Sequence, residues 1–73
     1  MSTTELMLKT SLEGRVTRTL QCYFRRPNLV LARESLWAAG LSHEQADQTI
    51  ELLLQGLTVS EILEQLREKG FFA

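Results

Sequence analysis

The side chains able to do covalent or metal chemistry are few and scattered. The chain has one histidine, His43, and one cysteine, Cys22. Neither lies in a nucleophile motif, and the two fall in different predicted helices. His43 and Asp47 are spaced i, i+4, so a helix would place them on one face as two metal ligands. A structural zinc site wants four ligands and a catalytic one three, so the pair reads better as a solvated histidine beside a surface carboxylate. The four glycines, at 14, 40, 56 and 70, are isolated, and none belongs to a phosphate-binding loop. These residues point away from an enzyme, and they assemble no metal or cofactor site.

Arginine is the residue type with evident binding capacity. On a helical projection Arg15, Arg18, Arg25 and Arg26 fall within a flank of roughly 100°. Tyr23 and Phe24 lie between them in the sequence. Such a flank can grip phosphates, or it can dock on an acidic protein face. Cys22 borders the flank, where nearby guanidinium groups favour a thiolate; the plainer role is a small, half-buried filler.

The net charge of −1 conceals an asymmetry. Residues 1–33 hold six basic side chains against two acidic ones, a net +4. Residues 34–73 hold two against seven, a net −5. Uneven charge between halves points to an interaction surface, or to halves that attract each other within or between subunits. The isoelectric point of about 5.7 is low for a nucleic-acid binder, which is usually strongly basic.

The elements that must position these residues read as helices. Thr58 and Glu61 have capping-box spacing. Val59, Ile62, Leu63 and Leu66 follow on one face, and Gly70 closes a helix expected over 59–69. Ser42 and Gln45 repeat the box ahead of Ala46, Ile50, Leu53 and Leu54, with Gly56 as the stop. Leu52 falls off that stripe and would meet a different neighbour. Pro27 pushes Arg26 out of the α region, and Asn28 is a good N-cap for a helix over Leu29–Ala39. That helix is apolar nearly all round, which predicts a central element buried on every side.

The N-terminal segment has two readings. A helix from about Thr4 to Arg25 puts Leu8, Leu12, Val16, Leu20, Tyr23 and Phe24 on one broad face. A β-hairpin turning at Glu13–Gly14 is the competitor, because Gly14 and the Thr, Val, Cys, Tyr and Phe around it are modest helix formers. The unbroken ladder 8-12-16-20 favours the helix.

With 73 residues the chain makes one small domain spanning residues 1–73, and at most ~60% of its unfolded surface is buried. The fold class expected is all-α: a bundle of about four helices with helix–turn–helix-like packing. The turn Gly40-Leu41-Ser42 resembles that of DNA-binding helix–turn–helix modules. However, the following helix begins His43-Glu44-Gln45-Ala46-Asp47, and acids are poor readers of a phosphate-flanked groove. A chain this short, without a disulfide, needs well-packed helices or a second subunit, so a homo-oligomer is a further expectation. A lone cysteine, no basic leader and no run near the ~20 apolar residues of a membrane span suggest a cytoplasmic protein without a membrane partner.

Binding to another protein fits most of these features. Trp37 and the adjacent Phe71 and Phe72 join Arg15, Arg18, Tyr23, Arg25 and Arg26 as candidate partner-binding residues, since aromatics and arginine dominate binding hot spots. The alternative for the two phenylalanines is that they complete the last C-cap and seal the core. The function expected is a small regulatory or inhibitory protein that docks on a larger complex. Size alone brings bacterial and phage proteins to mind, and a transcription or defence complex as the target. A small nucleic-acid-binding transcriptional regulator is the alternative.

Overall fold

The computed structural model describes residues 11–72. They form α1 (Leu12–Arg25), α2 (Leu29–Ala39), α3 (His43–Leu54) and α4 (Val59–Glu68), with no strand among the described residues. Each helix packs on two others: α1 on α2 and α4, α3 on α2 and α4. The ring closes around one core built on Val16, Leu20, Leu36, Ile50, Ile62 and Leu66. Thr49 is the only buried polar residue among those described, and its hydroxyl donates to the Gln45 carbonyl at 2.9 Å.

The caps explain the boundaries. Ser42 and Thr58 open α3 and α4 with complete capping boxes, each hydroxyl accepting from the N3 amide and each N3 side chain accepting from the cap N–H. Asn28 caps α2 by accepting from the Leu31 amide at 3.1 Å. Arg26 has φ −136° and ψ 89°, outside the α region as the following proline requires. At the end of α2, Gly40 turns the chain with φ +122°. A Cβ there would meet Leu12 Cδ1 at 3.3 Å, so both the backbone angle and the close approach of α1 call for glycine.

The hairpin at Glu13–Gly14 does not form, and the helix does not run unbroken from Thr4. Ser11 is extended, with ψ 160°, and its side chain accepts from the Gly14 amide. Gly14 therefore sits in the first turn, where its N–H needs a capping acceptor anyway, and its low helix propensity costs little. Leu8 and the proposed start at Thr4 lie outside the described residues. α4 ends at Glu68, with Lys69 as its cap, one residue short of the expected end.

α2 is not buried on every side. Only Ala32, Leu36 and Ala39 are inside; Val30 is 70% exposed and Leu31 57%. The reason is geometric. In the ring of the four described helices each has two neighbours, so no other described helix covers the outward face of α2.

Candidate interaction surface

The basic flank of α1 is real as a placement, and α2 gives it a second wall. Arg15, Arg18 and Arg26 are exposed and line the depressions between α1 and α2. One cavity of about 120 Å³ lies towards the α1–α2 turn, between Cys22 and Tyr23 of α1 and Leu31 of α2. A second, of about 300 Å³, lies towards the start of α1, between Arg15 and Ala38. Both are lined by Thr19, Cys22 and Ser35, so the two form one continuous trough. No carboxylate of the described residues lines either part.

Arg15 crosses the trough at one end. Its Nη1 donates to the Ala39 carbonyl at 3.5 Å, a long contact that places a cation at the C-terminus of α2, where the helix dipole favours it. Arg15, Arg18, Arg25 and Arg26 make no ion pair among the described residues; the two that form are Arg33–Asp47 at 3.1 Å and Arg67–Glu13.

The remaining candidates are dispersed. Tyr23 is half-buried against the core and meets Phe24 edge-on at 5.6 Å. It does not stand among the arginines, because residue 23 continues the Val16–Leu20 stripe at helical spacing. Phe24 leaves that stripe and is exposed, contrary to the expected shared face. Trp37 lies off the trough, at the α2–α3 boundary, stacked on His43 with centroids 4.4 Å apart and planes 15° from parallel. Phe71 and Phe72 are half-buried on the core. Phe71 donates its N–H to the Leu66 carbonyl, and Gly70 to Arg67, the two bonds of a Schellman closure. The C-cap role expected as the alternative is the one these two side chains take. Arg25 is exposed at the α1–α2 corner, apart from the trough.

His43 and Asp47 are each engaged elsewhere, on Trp37 and Arg33 respectively. Among the described residues no group of three or more histidine, cysteine or acidic side chains gathers. Cys22 is exposed and lines the trough, so it is not the half-buried filler expected. No helix among the described residues is long and apolar enough to cross a membrane.

Sequence reasoning missed the second wall. Leu31, Ser35 and Ala38 recur at i, i+4, i+7 and share a helix edge. Arg15, Thr19, Cys22 and Arg26 do the same on α1. Two such edges of mostly short side chains, on helices joined by a tight turn, are the signal for a trough. It lay hidden because α2 read as wholly interior. Comparison with family models, curated proteins and solved structures finds no match.

Proposed function

We propose that this chain is a non-enzymatic regulatory or inhibitory protein that works by docking its α1–α2 side on a larger protein. One observation carries the reading. Of the six exposed large apolar side chains among the described residues, four (Phe24, Leu29, Val30 and Leu31) fall within residues 24–31, around Arg25 and Arg26. Exposed apolar residues next to unpaired arginines are the composition of a binding hot spot. A transcription or defence complex in a bacterial or phage setting remains the target class suggested by size. A reducing compartment suits a chain with one exposed thiol.

Nucleic-acid binding is the second reading, supported by four exposed arginines that make no ion pair among the described residues. Two placements weigh against it. Tyr23 is half-buried against the core, so only part of its ring is open to stacking, and the exposed side of α3 carries Glu44, Asp47 and Glu51.

The test compares capture from cell lysate by the wild type with capture by two double variants, Arg25→Ala/Arg26→Ala and Phe24→Ser/Val30→Ser. All four side chains are exposed, so helical circular dichroism should be unchanged. Specific partners are expected to disappear in both variants; capture that survives both removes the reading. DNA retarded in a gel at low salt, with a log–log salt slope near −0.9 per phosphate contact, supports the alternative.

A further inference from the structure

We infer, resting on that docking reading, that the α1–α2 trough receives an acidic amphipathic helix of a partner protein. Its apolar stripe enters the two joined cavities and its carboxylates meet Arg15, Arg18 and Arg26.

The sign of the partner follows from the lining. Among the described residues, three guanidinium groups and no carboxylate line the trough. The hollow on the other flank of α1 is a useful contrast. At about 520 Å³ it is larger, but it holds Glu13 together with Arg18 and Arg67, and Arg67 is already paired with Glu13. That hollow nets one positive charge, with one of its arginines already neutralised, whereas the trough has three, Arg18 being shared between the two. Opposite potentials across an interface select partners and speed their encounter.

The helical form follows from backbone accounting. Both walls of the trough are helices, whose N–H and C=O groups bond within the helix. They present no open row of donors and acceptors to an extended strand. A helix brings its own bonds satisfied and needs only a floor low enough for close approach. Thr19, Cys22, Ser35 and Ala38 supply that floor, with Ala32 and Ala39 buried beneath. From Arg15 to Arg26 the trough runs for roughly 16 Å of helix rise, room for about three turns of the occupant.

A second copy of this chain fits worse. An isologous pair along the trough would set the arginines of one copy against those of the other. A duplex fits worse too, because the mostly apolar floor between Leu31 and Ala38 offers phosphates no group but the Ser35 hydroxyl.

The probe is a fluorescein-labelled, side-chain-stapled peptide of about 14 residues. It carries leucine on one face and glutamate on both flanks, and a control peptide carries lysine at every glutamate position. Binding is read by anisotropy, and its place by backbone amide shifts. The glutamate peptide is expected to bind and to shift Thr19, Cys22, Ser35 and Ala38, while the lysine peptide does not bind. Arg18→Glu/Arg26→Glu should weaken the glutamate peptide about tenfold or more and admit the lysine peptide, a gain that unfolding cannot produce. Ser35→Leu should block the trough with helical circular dichroism retained. Equal binding of both peptides, or shifts confined to residues 24–31, overturns the proposal. So does a duplex that shifts these amides where the peptide does not. If lysate capture is lost in Phe24→Ser/Val30→Ser but kept in Ser35→Leu, the trough proposal falls and the docking reading stands.

Discussion

α3 and α4 each open with a reciprocal capping box, whereas α1 and α2 open with a single side-chain cap. α3 and α4 bury Ile50, Leu52, Leu53, Ile62, Leu63 and Leu66; α1 and α2 bury only Val16, Leu20 and Leu36 among residues larger than alanine. Of the six exposed large apolar side chains among the described residues, only Leu54 belongs to the α3–α4 half. The acidic half thus uses its apolar residues to hold the ring together. The basic half keeps much of its own on the surface. In so small a fold, exposed apolar area is expensive in solubility, and its concentration beside arginines that make no ion pair among the described residues is why a docking surface is proposed there.

The sharpest way to break that contrast lies inside α2. Leu36 is fully buried and Leu31 is 57% exposed, in the same helix and of the same residue type. Leu36→Ala should cost about 3 kcal/mol of unfolding free energy by urea titration, through lost burial and the cavity left behind. Leu31→Ala should cost less than about 0.5 kcal/mol, as surface substitutions do. If Leu31→Ala destabilised as much as Leu36→Ala, Leu31 would be a core residue and the exposed surface of α2 would be lost from the account.

Caps come next in size. Ser42→Ala removes the acceptor for the Gln45 amide and leaves half of a box, while Asn28→Ala removes the one side-chain acceptor at the start of α2. Each should lower stability by about 1 kcal/mol. Native-state hydrogen exchange should separate them: Asn28→Ala should speed exchange at the α1–α2 corner, and Ser42→Ala should speed it at the start of α3. A corner that opened no faster in Asn28→Ala than in the wild type would mean that packing, and not the cap, sets the start of α2.

Much of the fold was legible because its signals are local. Asn28, Ser42, Thr58 and Gly70 fix helix ends through groups three or four residues away, and they do so as the spacing predicts. Val16, Leu20, Ile62 and Leu66 are buried as their period requires. What failed depended on neighbours. α2 carries apolar residues all round, and no pattern within the helix can say which side the ring leaves uncovered. The start of α1 failed for a different reason. The ladder 8-12-16-20 continues through Ser11, and only the extended backbone there reveals that α1 begins at Leu12. For the candidate surface, the arginines were visible one helix at a time, but the trough needs α2 beside α1. The capping roles of Phe71 and Phe72 were weighed from Gly70, and the chain's return to Leu66 decides between them.

The smallest effect contrasts the two capping boxes themselves. The α3 box uses Gln45, which cannot titrate, and the α4 box uses Glu61. The Thr58 N–H donates to the Glu61 carboxylate at 3.0 Å, and this bond, helped by the Thr58 hydroxyl, holds the Glu61 pKa below the ordinary carboxylate value. A pKa lower in the folded than in the unfolded state means that the unfolded chain binds the proton more readily. The stabilisation is therefore complete above the unfolded pKa and is lost as the pH falls through the folded one. Glu61→Gln keeps an acceptor oxygen but removes the charge, so its α4 box should resemble the α3 box and lose this part of the acid sensitivity. Urea titrations from neutral pH into the carboxylate range should show the wild type falling more steeply than Glu61→Gln. The reverse substitution, Gln45→Glu, should add the same dependence at α3, since the geometry of the cap is shared. Glu61 is wholly exposed, so the difference should be small and should shrink further with salt. Identical acid profiles in all three proteins would mean that the Thr58–Glu61 bond is too weak in water to link α4 to pH.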